Sequence, residues 1–176
     1  AGADSLGGGG GNDTADYSAS GAGVTVDLTV ATGQTSAGDA SGDILSSIEN
    51  VTGSAGADIL TGTTAANVLT GNAGNDTLSG GNGNDTLTGG ADADVLTGGA
   101  NTDTADYSAS ASGVTVDLTA GTGVGGDAQG DTLATIENVT GSGSGDVLTG
   151  DGNANVLDGS GGNDDLIGLG GADTLI

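Results

Sequence analysis

The side chains that could do chemistry in this sequence are carboxylates, and ten of the 24 stand at the same position of a nine-residue repeat. Nonapeptides fill residues 53–106 and 141–176, and residues 2–6 and 8–16 fit the same frame. The sixth position of each repeat carries an acid or an asparagine: Asp4, Asp13, Asp58, Asn67, Asp76, Asp85, Asp94, Asp103, Asp146, Asn155, Asp164 and Asp173. Because the chain has no Lys, Arg, His or Cys, these oxygens lack a basic or nucleophilic partner, and they suit cation binding better than catalysis.

The donor set selects among cations. Calcium accepts about six to eight oxygen ligands in flexible geometry, whereas magnesium demands a stricter octahedron and zinc prefers His or Cys. We therefore predict several calcium ions as the cofactor. The alternative is a solvated acidic face, or Asx turns without metal. Stacked like charges would then repel one another.

The charge balance points the same way. The chain has 24 acidic residues and a formal net charge of −24, so it would stay expanded through self-repulsion unless cations were supplied. This charge excludes nucleic acid as a partner. We find no disulfide framework, no signal peptide and no apolar run of membrane-spanning length, and we interpret the chain as an interior piece of a longer array.

The rest of each repeat predicts the elements that position the acids. Positions one to five are mostly Gly, Ala, Ser and Asn, and glycine permits the positive φ of a tight turn. The last three residues suffice for a short strand, in which position eight faces one side and positions seven and nine the other. Position eight is Leu except at Ala15 and Ala105, so stacked repeats would build a thin leucine core.

This frame resembles the RTX nonapeptide, G-G-x-G-x-D-x-U-x, a calcium-binding repeat. The repeat GGNGNDTLT at 80–88 fits at every position, whereas Ala65 and Asp92 depart from the pattern at position four. The resemblance implies an all-β fold, a right-handed parallel β-roll (a β-helix or solenoid). Such a roll has about 18 residues per turn and binds calcium between its turns.

The resemblance also implies that each ion takes position-six side chains and glycine-loop carbonyls from repeats two apart. Carried onto this sequence, the residues that share an edge are Asp58, Asp76 and Asp94; Asn67, Asp85 and Asp103; Asp146 and Asp164; and Asn155 and Asp173. Asparagine lowers the charge by one, so we expect the sites at Asn67 and Asn155 to bind calcium more weakly.

Two segments, 17–52 and 107–140, break the nonapeptide frame. GVTVDLT recurs after 90 residues and IENVTGS after 88, so the chain comprises about two copies of one long unit. We predict that the roll continues through both segments with wider turns, which divides the chain into 1–16, 17–52, 53–106, 107–140 and 141–176. Tyr17 and Tyr107 would cover the widened core.

More than one role is open for the acids of these segments. GDASGDIL and GDAQGDTL look like distorted repeats, which adds Asp43 and Asp131 at position six as metal ligands. Acids paired in these glycine loops could hold a further calcium or none: Asp39 with Asp43, and Asp127 with Asp131. Glu49 and Glu137 also fall on position six, where a turn-capping hydrogen bond competes with metal ligation. Four acids are expected to face solvent: Asp16, Asp27, Asp106 and Asp117.

These features favour a secreted structural module over an enzyme. The resemblance implies export of the unfolded chain by bacterial one-step (type I) secretion, followed by calcium-driven folding outside the cell or at its surface. The leading hypothesis is part of an adhesin, surface layer or filament that self-associates or stacks end to end and does not insert into membranes. The alternative is the calcium-binding tail of a secreted protease, lipase or cytolysin.

Overall fold

The structure, a computed structural model, describes residues 2–176 and is built almost entirely from short strands. Sheet A has eight strands, in spatial order β2 (Thr14–Asp16), β5 (Asn50–Thr52), β7 (Val68–Ala73), β9 (Thr86–Ala91), β11 (Thr104–Asp106), β15 (Asn138–Thr140), β17 (Val156–Asp158) and β19 (Thr174–Leu175). Sheet B has nine, in the order β3 (Thr25–Asp27), β6 (Ile59–Thr61), β8 (Thr77–Asn82), β10 (Val95–Ala100), β14 (Thr132–Ala134), β13 (Thr122–Val124), β12 (Thr115–Asp117), β16 (Val147–Thr149) and β18 (Asp165–Ile167).

A two-stranded sheet and two turns of 3-10 helix complete the part of the chain that the structure describes. Strand β1 (Ser5–Gly7) pairs in parallel with β4 (Ile44–Ser46) as a separate two-stranded sheet. Single turns of 3-10 helix span Gly38–Ala40 and Gly126–Ala128. Within residues 2–176, neither turn has the length or apolar character that a membrane crossing requires.

In the central block, consecutive strands alternate between the two sheets, so the chain winds as a flattened coil. Val68 pairs with Thr86 in sheet A, and Thr77 pairs with Val95 in sheet B, both in parallel. Each pair is 18 residues apart, so two nonapeptides make one turn. The predicted parallel β-roll is confirmed.

Position eight supplies the core between the sheets. Seven leucines from this position are fully buried: Leu60, Leu69, Leu78, Leu87, Leu96, Leu148 and Leu157. Ala15 and Ala105 are buried at the same position, and Val51 and Val139 continue the ladder outside the nonapeptide blocks. Position seven faces outward, since Ile59, Val68 and Val95 are about half exposed. The alternation predicted from the repeat is therefore confirmed.

The strands of the central block are longer than expected. Strands β7 to β10 each have six residues and extend into the glycine positions of the next repeat. The reason is that the loops themselves stack in register, with Asn72 beside Gly90 and Gly99 beside Gly81. The turns thus share the ladder hydrogen bonds of the strands.

The segment 107–140 differs from the predicted wider turn. From β11 the chain enters β12, reverses through the antiparallel strand β13, and returns to β14, which pairs in parallel with β10. The reversal adds three strands to sheet B and only one, β15, to sheet A. The roll continues, but only sheet A remains parallel throughout.

The segment 17–52 has no such reversed strand, and hydrogen bonds from one side chain take its place. The amide of Gln34, which is only 5% exposed, accepts the N–H of Asp27 at 2.8 Å and donates to the Asp27 carbonyl at 3.0 Å. These two bonds occupy the place of the backbone pair between Asp117 and Thr122 in the second unit.

Candidate metal centres

Twelve of the position-six side chains form two rows, and each row precedes strands of one sheet. Row A precedes sheet A and contains Asp13, Glu49, Asn67, Asp85, Asp103, Glu137, Asn155 and Asp173. Row B precedes β6, β8, β10 and β14 of sheet B and contains Asp58, Asp76, Asp94 and Asp131. The edge groupings expected for residues 58–103 thus lie together, and each row gains members from the wide segment.

In row B, the backbone N–H of each member except the last donates to the carboxylate of the member one turn further on, and these bonds form a ladder along the row. The N–H of Asp58 donates to Oδ1 of Asp76 at 2.7 Å, and the N–H of Asp76 donates to Oδ1 of Asp94 at 2.8 Å. The N–H of Asp94 continues the ladder to Oδ1 of Asp131 at 2.9 Å. One carboxylate oxygen of each residue is therefore used to bind the preceding turn.

Row A has the same ladder of hydrogen bonds, and two of its members are glutamates. Asn67 N–H donates to Asp85 Oδ1, and Asp85 N–H donates to Asp103 Oδ1, both at 2.8 Å. The N–H of Asp103 then donates to Oε2 of Glu137 at 2.8 Å. The N–H of Asp13 reaches Glu49 in the same way at 2.9 Å. Both glutamates thus make the bond between successive turns that the aspartates make, and not a bond that caps their own turn.

The second oxygen of several of these carboxylates has no partner. Within residues 2–176, the buried side-chain oxygens that lack any hydrogen bond are Oδ2 of Asp13, Asp76, Asp85, Asp94 and Asp103. An unpaired charged oxygen removed from water is costly. Accordingly, burial raises the pKa of both Asp76 and Asp94 to about 7, and it also raises the pKa values of Asp85 and Asp103.

Backbone carbonyls converge on the same oxygens. A Cβ built on Gly80 would contact Asp85 Oδ2 and lie 2.7 Å from the carbonyl oxygen of Gly98, one turn further on. A Cβ on Gly71 would likewise contact the carboxylate of its own repeat and lie 2.6 Å from the carbonyl oxygen of Gly89. Position one is therefore glycine because a side chain would fill the space between a carboxylate and a carbonyl. A cation with oxygen ligands fits that space.

The loops that carry unpaired oxygens share one backbone conformation. In these repeats, positions two and four adopt positive φ, as at Gly81 (104°) and Gly83 (112°). Asp92 departs from glycine at position four and still adopts φ 81°, because Asp and Asn tolerate the left-handed region better than other residues. Ala65 does not adopt it, and its loop folds differently.

In this second loop type, the position-six side chain binds its own turn. Ser54 N–H donates to Asp58 Oδ2 and Ser142 N–H to Asp146 Oδ2, each at 2.7 Å. Thr63 N–H donates to Asn67 Oδ1 at 2.6 Å. These oxygens are already hydrogen-bonded, unlike Oδ2 of Asp76 or Asp85.

Both asparagines of row A also use their amide nitrogens. Asn67 Nδ2 donates to the carbonyl of Glu49 at 2.6 Å, and Asn155 Nδ2 donates to the carbonyl of Glu137 at 2.8 Å. In each case the side-chain N–H, and not a cation, contacts the backbone carbonyl of the residue one turn earlier in the chain. This is a physical basis for the weaker calcium binding expected at asparagine.

The acids that follow the two 3-10 turns accept the same inter-turn hydrogen bond but have a different second partner. Asp43 and Asp131 accept a backbone N–H through Oδ1, as the other members do. Their Oδ2 atoms accept the hydroxyl groups of Tyr17 at 3.0 Å and Tyr107 at 2.9 Å. Both tyrosines are buried in the core, as predicted, but their bonds to these acids were not anticipated.

The remaining predicted ligands lie nearer the ends of the chain. Asp164 Oδ1 accepts the N–H of Asp146, and Asp173 Oδ1 accepts the N–H of Asn155, each at 3.0 Å. Asp4 is exposed and donates its N–H to Asp43. Across residues 2–176, no three acidic side chains converge on one point. A cation between the turns would therefore complete its coordination with backbone carbonyls and water.

Fold and site together define a parallel β-roll whose glycine loops present carboxylate and carbonyl oxygens to cations between successive turns. The family model described as "RTX calcium-binding nonapeptide repeat (4 copies)" matches residues 52–87, 70–105 and 140–175. These matches cover just over half of the chain, and the chain belongs to this family. Its repeats bind calcium, and their number implies several Ca²⁺ sites. A search of curated proteins finds no match.

Proposed function

We propose that this chain is a calcium-dependent structural module of a secreted protein, which folds when it meets calcium outside the cell. The observation that carries the proposal is the set of unpaired Oδ2 atoms in rows A and B. We assign the calcium ions to these carboxylate oxygens, with glycine-loop carbonyls as further ligands. The aspartates concerned are Asp13, Asp76, Asp85, Asp94 and Asp103. Asp164 and Asp173 join this set because their loops share the same positive-φ conformation.

The other predicted ligands contribute less in this proposal. Asp58 and Asp146 already accept N–H groups through Oδ2, and both asparagines donate to carbonyls. Asp4 is exposed. The sites built on these five positions are therefore expected to be weaker or empty.

Electrostatics couple folding of the module to its compartment. A chain with a net charge of −24 and no cationic side chain cannot neutralise its stacked carboxylates internally. Calcium that binds only the folded chain supplies this missing free energy. Extracellular sites with dissociation constants of about 10⁻⁴ to 10⁻³ M fill at the calcium concentrations outside cells. Such a chain would leave the cell unfolded and order only after export, consistent with type I secretion.

The repeat architecture favours a scaffold over a catalyst. Units of 88–90 residues recur within the chain, and a parallel roll can be extended by stacking further turns on its end strands. We propose a role in an extracellular adhesin, surface layer or filament, with like units stacking end to end, and no catalysis by this segment. If the full-length protein instead carries a hydrolase or toxin domain beside these repeats, the module is the calcium-binding tail of that protein.

A calcium titration followed by far-ultraviolet circular dichroism tests the proposal. We expect a disordered spectrum in chelator, a transition to a β-sheet spectrum by millimolar calcium, and reversal when chelator is added again. Magnesium at the same concentration serves as the control and should give no transition, because its octahedral preference does not fit these loops. A disordered spectrum that millimolar calcium leaves unchanged would refute calcium-dependent folding.

A further inference from the structure

The two tyrosines of this chain contact the same kind of carboxylate at the same place in each unit. Tyr107 is 2% exposed, and its hydroxyl donates to Oδ2 of Asp131, which is itself 2% exposed. In the first unit Tyr17, 6% exposed, donates in the same way to Oδ2 of Asp43, also 2% exposed. These are the only aromatic residues of the sequence.

The neighbouring rung of row B provides the contrast. Asp94 and Asp131 belong to consecutive turns, because the strands that follow them pair residue for residue, with Thr132 beside Val95. Both carboxylates accept a backbone N–H through Oδ1. Their hydrogen bonds differ at Oδ2, which has no partner in Asp94 and accepts a tyrosine hydroxyl in Asp131. The loops before them differ as well, since Asp131 follows the 3-10 turn Gly126–Ala128 and Asp94 follows a nonapeptide loop.

The next strand explains why the two rungs differ. A calcium bound at Asp76 Oδ2 would contact the glycine loop of the following turn, whose Gly89 carbonyl faces it. After β14, however, sheet B continues with the antiparallel strand β13, so no further repeat loop stacks there. The phenol hydroxyl donates one hydrogen bond to the carboxylate where a loop and a cation would otherwise be.

We infer that Asp43 and Asp131 bind no calcium, and that Tyr17 and Tyr107 end the calcium row on this edge of the roll once in every unit. This inference rests on the proposed calcium ladder and adds that two of its positions are metal-free. To admit an ion, the ring of Tyr107 would have to leave the core, and the carboxylate would lose its neutral donor. The tyrosine thus limits the number of calcium ions that each unit binds.

Native mass spectrometry in calcium tests this inference by counting bound ions. The matched variants are Asp94→Asn and Asp131→Asn. Each keeps an oxygen to accept the ladder N–H, and in Asp131→Asn the new amide can donate to the hydroxyl of Tyr107. Circular dichroism in calcium checks that each variant folds, and Asp76→Asn with Asp43→Asn repeats the comparison if either does not.

We expect Asp131→Asn to bind the same number of ions as the unchanged chain, while Asp94→Asn binds at least one fewer. Loss of an ion from both variants would overturn the role of the tyrosine and leave the calcium ladder intact. If neither variant loses an ion, the ladder assignment itself is wrong and the inference falls with it.

Discussion

Row A and row B cross the segment 107–140 in different ways. In row A, Glu137 accepts the N–H of Asp103, and sheet A stays parallel from β11 to β15. In row B, Asp131 accepts the N–H of Asp94, but Tyr107 holds its second oxygen and the adjacent strand β13 is antiparallel. One edge of the roll is continuous through the unit, and the other edge is interrupted.

Loop length explains how row A stays continuous. Six residues, 98–103, separate Thr97 from Thr104, but only three, 135–137, separate their strand partners Ala134 and Asn138. Glutamate is one methylene longer than aspartate, so it reaches the same backbone N–H from the shorter loop. The length of the acidic side chain, and not only the glycine loop, therefore keeps the members of a row in register.

The largest effect should come from the core that both rows share. Leu78 in sheet B and Leu87 in sheet A are both fully buried, so alanine at either should cost about 2–5 kcal/mol in calcium-saturated unfolding. Val95→Ala, at a position 44% exposed, is the control and should change stability by less than about 0.5 kcal/mol. A cost confined to one sheet would contradict a shared core.

The next effect concerns the glutamate that carries row A through the segment. Glu137→Asp shortens the side chain, so the bond to Asp103 N–H should be lost, at a cost of roughly 1–3 kcal/mol. Glu137→Gln keeps the length and an acceptor oxygen, and denaturant unfolding in calcium should show a smaller loss. A larger loss in Glu137→Gln than in Glu137→Asp would mean that charge, not reach, is what the position requires.

A smaller effect is expected where a Cβ would enter a calcium site. Gly80→Ala places a methyl group between Asp85 Oδ2 and the Gly98 carbonyl, and should raise the calcium midpoint about 10-fold, as other changes around metal ligands do. Gly143→Ala is the matched control, because nothing lies within 4 Å of its Cβ. If both variants titrate like the unchanged chain, calcium does not occupy the space beside Gly80.

Restoring aspartate in row A should have a still smaller effect. Asn67→Asp brings a carboxylate oxygen to the Glu49 carbonyl that now accepts an amide N–H at 2.6 Å, but Thr63 N–H still occupies the other side-chain oxygen, so we expect an additional calcium ion by native mass spectrometry only at high calcium concentration. Asn50→Asp adds the same charge where the side chain only accepts the N–H of Val68, and it should add no ion. An unchanged count in Asn67→Asp would show that the Glu49 rung cannot hold metal.

The smallest effect is the pH dependence of the calcium-free chain. Burial raises the pKa of Asp76 and Asp94 from 3.8 to about 7, so between these values the folded chain binds protons that the unfolded chain has released. The stability of the metal-free roll therefore falls as pH rises through this window. In chelator, circular dichroism should show more β-structure at pH 5 than at pH 8, and the opposite order would contradict the burial of these carboxylates.

The periodic parts of the molecule could be predicted from the sequence because each repeat is one strand and one turn. Position eight at Leu78 and position six at Asp76 follow from alternation and spacing alone. Strand β13 could not be predicted in this way, since the letters Thr-Gly-Val at 122–124 carry no periodicity and the pairing depends on distant strands.

The tyrosine hydroxyls that donate to Asp43 and Asp131 could not be predicted from the repeat either. The distorted repeat around Asp131 does not reveal its second partner, because the tyrosine that binds it lies 24 residues earlier in the chain. One signal is present in the sequence: both units contain a tyrosine and an aspartate that ends a GDAxGD segment, Tyr17 with Asp43 and Tyr107 with Asp131. A recurring pair of residues outside the repeat frame is thus a reason to expect contact between them.

A crystal grown in calcium, with diffraction recorded to locate the ions by anomalous scattering, would show directly whether calcium lies between the turns of the roll. We predict peaks at about 2.3–2.6 Å from Oδ2 of Asp76, Asp85, Asp94 and Asp103, and none beside Oδ2 of Asp131. A folded roll in which these four oxygens face only water or protein would contradict the account.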